Sequence, residues 1–284
     1  LKTNEKVWRF IQSDAGSPAM NMAIDEAIST MVSEKKSPPT LRFYTWEVPT
    51  LSLGYFQKAE KEVDFAALKQ QKLGFVRRAT GGRAVLHDKE LTYSMIVNED
   101  DPMIPKTVTE AYRVLSEGLV VGFQTLGLAA SMTNLASNEE KAKYSQASSA
   151  ACFDAPSWYE LVVEGKKIAG SAQTRQKGVV LQHGSILLDM DVDMLFSVLK
   201  FSNEKVRDRL KASFYNKAVA INDIKREMGQ STVALPEVMT AFQAGIAQGL
   251  GVTLAPATLT PEEEALAQQL VQEKYGHDDW NLKR

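Results

Sequence analysis

Three apolar runs, Tyr159–Val163, Ile168–Arg175 and Val179–Leu188, follow one another with only Glu164-Gly165-Lys166 and Gln176-Lys177-Gly178 as turns between them. Connections that short can join only antiparallel neighbours, because a parallel pair needs a crossover of a dozen or more residues. The stretch therefore predicts consecutive hairpins in one sheet, and the rest of the chain has to be built around them.

Upstream, Val7–Ser13 alternates as a strand, and Ser17-Pro18 supplies an N-cap and a first helical residue. Met20, Ala23, Ile24, Ala27, Ile28 and Met31 then line one helical face, in a helix expected to end near Lys35 before Pro38-Pro39. Leu41–Trp46 and Thr50–Tyr55 read as two strands joined around Pro49 in the manner of a hairpin. A short helix is expected over Asp64–Gln71, followed by strands at Gly74–Arg78, Ala84–His87 and Leu91–Val97. Thr107–Leu126 predicts an amphipathic helix with Val108, Ala111, Tyr112, Leu115, Leu119 and Phe123 inward. Ser131–Ser149 is polar and patternless and reads as a mobile loop. After the hairpins, helices are expected near Met194–Leu199, Asn203–Ala212, Pro236–Leu250 and Pro261–Lys274.

Hairpin-rich strands with helices grouped before and after them predict an α+β fold, a mostly antiparallel or mixed central sheet flanked by helices. No repeat or linker divides the chain. Residues 1–250 are expected to form one catalytic domain, and 251–284 a helical extension packed on it.

Composition closes several avenues. The net charge is −2 with no basic stripe, so nucleic acid is not an expected partner. No run approaches the apolar length a membrane span needs. Leu1–Phe10 carries Lys, Glu and Arg in place of a signal-peptide core, which predicts a cytoplasmic location. With a single cysteine there is no internal disulfide and no multi-cysteine metal site. His87, His183 and His277 are too widely spaced for a ligand motif, so no metal is expected.

Three segments carry candidate chemistry. In Arg77-Arg78-Ala79-Thr80-Gly81-Gly82-Arg83, two glycines between strands let backbone amides approach a ligand, with arginines on both sides to meet a phosphate or carboxylate. The same residues also read as a glycine turn with solvated arginines. No Gly-Lys-Ser/Thr and no helix follows, which excludes Walker and dinucleotide loops. Cys152 closes the polar loop just before a strand, where a thiol can meet substrate; a lone cysteine also reads as a small buried hydrophobe. Asp154 alone would raise the thiol pKa, so activation needs a base or cation from elsewhere. In Lys166-Lys167-Ile168-Ala169-Gly170-Ser171, Lys166 reads as solvated at a hairpin end. Lys167 begins a strand; if that strand lies against the Cys152 loop, its ammonium favours the thiolate and polarises a thioester carbonyl.

In this order and spacing the segments resemble the lipoate/biotin protein ligase superfamily over essentially the whole chain. The resemblance includes Ser17–Ala27, Trp46–Gln57, Arg77–Asp88, Lys167, and Lys274-Tyr275 with Trp280-Asn281. Within it the chain is similar to the octanoyltransferases that load the glycine-cleavage H protein in Gram-positive bacteria. Arg83 stands where lipoate ligases carry a third glycine, and Cys152-Phe153-Asp154-Ala155-Pro156-Ser157-Trp158 resembles the transferase branch. With so little sequence after the last helical segment, the accessory domain of many ligases is not expected either.

The resemblance implies transfer of octanoyl from octanoyl-acyl carrier protein, through an S-acyl Cys152, to the lysine of a lipoyl domain on the H protein. It implies Cys152 and Lys167 as catalytic residues, and Arg78, Gly81, Gly82, Arg83, His87, Gly170 and Ser171 as acyl or substrate contacts, with His87 either lining the site or bonding structurally. Neither ATP nor a metal is expected for the transfer. Two rival functions fit the same residues: an ATP-dependent lipoate-protein ligase, and a non-catalytic lipoyl-domain or acyl-carrier binding protein.

Overall fold

A computed structural model describes residues 6–134 and 159–284. The expected hairpins are present: β8 (Tyr159–Val163), β9 (Lys166–Gln176) and β10 (Val179–Leu187) pair antiparallel in sequence order. They belong to an eight-stranded mixed sheet with β1 (Val7–Gln12), β2 (Thr40–Tyr44), β6 (Glu90–Asn98), β7 (Ser131–Asn134) and β11 (Thr253–Pro256). Its order is β11-β1-β2-β6-β10-β9-β8-β7, with β1 parallel to both its neighbours and the other pairs antiparallel. A second sheet of three strands, β4 (Gly74–Arg77), β3 (Thr50–Leu53) and β5 (Val85–His87), stands apart from it.

That division corrects one sequence reading. β2 and β3 do not form a hairpin: β2 pairs with β1 and β6, while β3 pairs with β4 and β5. Both strands are fully buried, as expected of strands covered on both faces, and the segment around Pro49 passes between sheets. A second correction concerns Ser131–Asn134, read as loop; it pairs with β8 as the edge strand β7. Its sequence, Ser-Met-Thr-Asn, has too little apolar alternation to announce a strand, and the pairing comes from the neighbour. The remainder of that expected loop, with Cys152, lies outside the described residues.

Helices cover both faces of the large sheet. On one, α4 (Val108–Thr125) and α8 (Leu235–Leu250) press Leu115, Leu119, Phe123, Phe242 and Ile246 onto Phe43, Tyr93, Met95 and Val97. These two helices cross closely because glycines meet: a Cβ on Gly245 would lie 2.3 Å from Gly122 N. Val108, expected inward, is exposed, since it opens the helix beyond the edge of that contact. On the other face α1 (Pro18–Ser33) buries Met22, Ala27 and Ile28 against Tyr44, Ile96 and Leu181. Ser17 Oγ caps it by accepting from Met20 N at 3.3 Å, as the Ser-Pro start predicts.

The small sheet has its own core, where Leu51 and Leu53 meet Phe196 and Phe214 of α5 (Val192–Ser197) and α6 (Glu204–Lys217). Short helices α2 (Ala59–Glu62), α3 (Phe65–Gln70) and α7 (Ile221–Glu227) connect these layers. At the C-terminal side, α9 (Pro261–Leu270) loosens into one π-turn, Val271–Tyr275, and α10 (Asp278–Asn281) follows. Glu263 caps α9 through Thr260 N and also takes both ends of the Arg9 guanidinium, at 2.8 and 2.6 Å, which ties this segment to β1.

Candidate active site

The Gly81-Gly82 segment connects β4 to β5 within the small sheet. Gly82 has φ +91°, which favours glycine, and a Cβ on Gly54 would fall 1.9 Å from Gly82 O. With Tyr55 N donating to Thr80 O at 2.8 Å, the end of β3 and the double-glycine loop form one body. Both paired arginines turn inward to hold it. Arg78 donates to Ser52 O, Ser52 Oγ, Gly81 O and Arg83 O at 2.7–3.1 Å. Arg77, with no exposed surface, donates to Gly54 O, Tyr55 O and Gln57 O and, through Nε, to Trp280 O and Asn281 O. Most donors of these guanidiniums, expected to meet a phosphate or carboxylate, are engaged by backbone carbonyls of the β3 end, the glycine turn and residues 280–281. Arg83 contributes its carbonyl to Arg78 and is partly buried.

Two carboxylate–histidine–hydroxyl chains converge beside this loop. In the first, Glu90 Oε1 lies 2.6 Å from His87 Nδ1, and His87 Nε2 lies 2.6 Å from Ser52 Oγ. Trp46 stacks on the His87 ring at 4.3 Å, and its Nε1 reaches Thr92, which donates to Glu90 in turn. Ser185 also donates to Glu90. In the second chain, His183 Nε2 lies 2.6 Å from Thr80 Oγ1, and Nδ1 lies 3.6 Å from Asp25 Oδ2. Arg42, Ser94 and Tyr44 donate to the same Asp25 carboxylate.

Burial pushes the His183 pKa below the usual imidazole value, and Asp25 opposes this without reversing it. Burial would raise Asp25, but the Arg42 charge and the bond from His183 outweigh it and hold the carboxyl below its ordinary value. At neutral pH the pair is thus a neutral imidazole against a carboxylate whose charge Arg42 compensates.

A cavity opens between the chains, lined by Trp46, Arg78, His87, Gly170, Ala172 and His183 among others. A second lies beyond Met22 and His183, the two residues that line both. Seven of the expected contacts thus sort as follows. Arg78, His87 and Gly170 line the cavity wall, and Gly81, Gly82 and Arg83 form the loop that Arg78 braces. Ser171 borders the cavity too, yet its hydroxyl bonds Tyr93 OH at 2.7 Å in the core under α4 and α8, so it offers the cavity backbone. His87 takes both expected roles at once, lining the wall and bonding through both nitrogens.

Lys167 lies on β9 three residues before Gly170 and is not among the residues lining this cavity. It is 6% exposed, with Nζ 3.3 Å from Glu160 Oε1 on β8. Cys152 lies outside the described residues, so the structure leaves its relation to Lys167 undescribed. Among the described residues no cluster of His, Cys, Asp and Glu could hold a metal ion, and no helix is long and apolar enough to cross a membrane.

Asp25, His183, Glu90 and Ser52 escaped the sequence reading. One signal was available for Asp25, an acid set among the inward residues Met22, Ala23, Ile24 and Ile28 of an apolar helical face. His183 likewise sits between Leu181 and Ser185 at the period of a strand face, where an unpaired polar group would be costly.

Comparison with known proteins follows the same outline. The family described as lipoyl protein ligase A/B catalytic domain matches residues 17–247. The chain is 62% identical to octanoyltransferase LipM of Brevibacillus brevis over 98% of its own length and 99% of that protein's. It is 54% identical to octanoyltransferase LipM of Bacillus subtilis, covering 99% of each chain. Among solved structures, a bipartite lipoate protein ligase from Thermoplasma acidophilum superposes with a TM-score of 0.80 at 30% identity, over 98% of this chain and 96% of that one. A lipoate-protein ligase A bound with ATP gives a TM-score of 0.75 at 30% identity, over 97% and 98% of the two chains.

Proposed function

Because the chain belongs to the lipoyl protein ligase A/B catalytic-domain family, we propose that it moves an octanoyl group from octanoyl-acyl carrier protein to the lysine of a lipoyl domain, that of the glycine-cleavage H protein. The chain is an acyltransferase; identity of 62% along nearly its whole length to a protein named octanoyltransferase is the observation that carries the acyl group assigned to it. The Cys152–Trp158 segment supports a covalent route, because a thioester donor needs no adenylation and a thiolate is the nucleophile suited to accept its acyl group.

In the first step the Cys152 thiolate attacks the thioester carbonyl. A new S–C bond forms, and collapse of the tetrahedral oxyanion expels the phosphopantetheine thiolate. In the second, the acceptor lysine amine attacks S-octanoyl Cys152, the C–N bond forms, the C–S bond breaks, and the amine proton goes to the departing sulfur. Each oxyanion needs donors fixed in advance. Lys167 is the cation assigned to this work and to favouring the thiolate, while backbone at Gly81-Gly82 and Gly170 supplies candidate amides. The cavity beside Trp46, His87 and Gly170 is the assigned acyl bore. Because each methylene is worth about 0.8 kcal/mol, neighbouring chain lengths should be separated only modestly unless the bore is closed at its end.

Intact-mass measurement after mixing with octanoyl carrier protein tests this reading. One octanoyl adduct is expected, labile to hydroxylamine and confined to the peptide containing Cys152. Transfer should proceed without nucleotide, and Cys152→Ser should abolish it while remaining folded. Full activity of that variant would sink the covalent route. Efficient use of free octanoate with ATP would favour a ligase, the reading suggested by the ATP-bound ligase at 30% identity.

A further inference from the structure

Phe56 is the most exposed of the large apolar side chains among the described residues, at 68%, and it stands beside the double-glycine loop. A Cβ on Gly81 would lie 3.7 Å from its ring. Phe56 packs edge-on against Tyr55 at 4.9 Å, and Tyr55 leans on Trp280 at 5.9 Å. Cations gather on these rings: Lys283 Nζ lies 3.8 Å from the Tyr55 centroid and 3.5 Å from that of Trp280, and the Arg284 guanidinium 5.0 and 5.3 Å from Tyr55 and Phe56. Lys58, also exposed, begins the adjoining turn. The facing carboxylate, Glu62, accepts from Lys58 N and Gln57 Nε2 within the turn itself. The Tyr55 phenol is held below its ordinary value, first by a hydrogen bond from Lys283 and then by the charge of Lys283 and a bond from Arg284.

We propose that Phe56, Lys58, Lys283 and Arg284 form the docking surface for the acidic carrier protein that delivers the thioester donor. The inference rests on the function proposed above and adds the place and chemistry of the encounter. An exposed aromatic ringed by cations suits an acidic protein face: the ring supplies buried apolar area at the centre and the cations select charge at the rim. The position is apt because Phe56 touches Gly81, whose loop borders the cavity through Arg78. Charge chooses between the two proteins that must visit this mouth. The donor's acyl group hangs from a phosphodiester-linked arm, which is anionic and attracted by Lys283 and Arg284. The acceptor's reacting group is an amine, which carries no anionic arm for those groups to hold.

The test compares two donors, octanoyl carrier protein and octanoyl-pantetheine, with wild type, Phe56→Ser and the double variant Lys58→Glu/Arg284→Glu. Both variants should raise KM for the carrier-borne donor, by about tenfold or more for the charge reversal, with kcat little changed. Octanoyl-pantetheine, which lacks the protein, should be turned over at the wild-type rate by all three. The steep salt dependence of carrier use should flatten in the charge-reversed variant. Unchanged KM for the carrier would overturn the proposal, as would equal losses with both donors, or a rise confined to KM for the lipoyl domain. Titration with unacylated carrier protein separates the two levels of the argument. Patch-dependent binding without any acyl transfer would retain the docking surface and discard the proposed function, whereas binding that ignores the substitutions would discard the docking surface alone.

Discussion

Asn281 Oδ1 accepts the backbone N–H of Arg77 at 2.8 Å, while Trp280 Nε1 donates to the carbonyl of the same residue, also at 2.8 Å. The Arg77 guanidinium returns bonds to the carbonyls of both tail residues and goes on to three carbonyls at the end of β3. One buried arginine therefore joins the C-terminal segment to the loop that borders the cavity.

Asn281→Ala should leave the Arg77 N–H and the Tyr275 carbonyl without this partner, at a cost of about 1–3 kcal/mol. Denaturant unfolding measures it. A change within a few tenths of a kcal/mol would mean that water replaces the amide and that the clasp adds little.

Gly54→Ala tests the contact between β3 and the double-glycine loop. The new methyl would strike Gly82 O, so the loop must shift, with an expected loss of about 1–3 kcal/mol and a larger relative loss of transfer activity. Gly82→Ala should cost about 1–2 kcal/mol through its positive φ alone. Wild-type turnover in both variants would show that loop position does not matter to the reaction.

The depressed His183 pKa makes a signed prediction. As pH falls below the ordinary imidazole value of 6.5, the unfolded chain takes up a proton here that the native protein still refuses. Stability should decline from that point until the lower native pKa is reached. Asp25 acts in a separate window: its stabilisation is present above 3.8 and is lost as pH drops through its depressed native value. His183→Gln should therefore flatten the stability profile between pH 6.5 and the acid limb governed by Asp25. An unchanged slope in urea unfolding across that range would place the proton uptake elsewhere.

Lys167→Ala should slow self-acylation of Cys152 and move its pH profile upward, because an unperturbed thiol with pKa about 8.5 is only a few per cent thiolate at neutral pH. Lys167→Arg should recover part of the rate by keeping the charge, and fall short of full turnover because a guanidinium does not exchange protons with the incoming amine. Lys166→Ala, in the partly exposed position before it, should matter little. Normal acylation with an unchanged profile in Lys167→Ala would leave the thiol to be activated by another group.

Local signals carried the sequence reading a long way. The turns at Glu164-Gly165 and Lys177-Gly178 set the β8–β10 hairpins, and Ser17-Pro18, Asp64, Thr107 and Asn203 each cap the helix they announce. What stayed hidden is non-local. Nothing near Pro49 says that β2 and β3 enter different sheets, since that depends on partners at Ser94 and Val76. The site followed the same rule. The glycine pair and His87 were visible, because such residues are unusual where they stand. Ser52 became a member only when folding brought it to His87, whereas Glu90 is a local neighbour whose role was masked by its place at the head of a buried strand. The bracing work of the paired arginines was hidden for a related reason, since charge in a sequence does not reveal which backbone carbonyls it will meet.

The Arg77 clasp also sets an order of events during synthesis. The two sides of the Arg77–Asn281 bond are 204 residues apart in the chain. The hairpins, α1 and the small sheet can all begin to form while the ribosome is still translating, but the loop beside Gly81 cannot receive this brace until residues 280–281 have emerged and folded back. A nascent chain would thus hold most of its scaffold around a loop still unbraced, and that loop would reach its final position only once the 280–281 segment has docked.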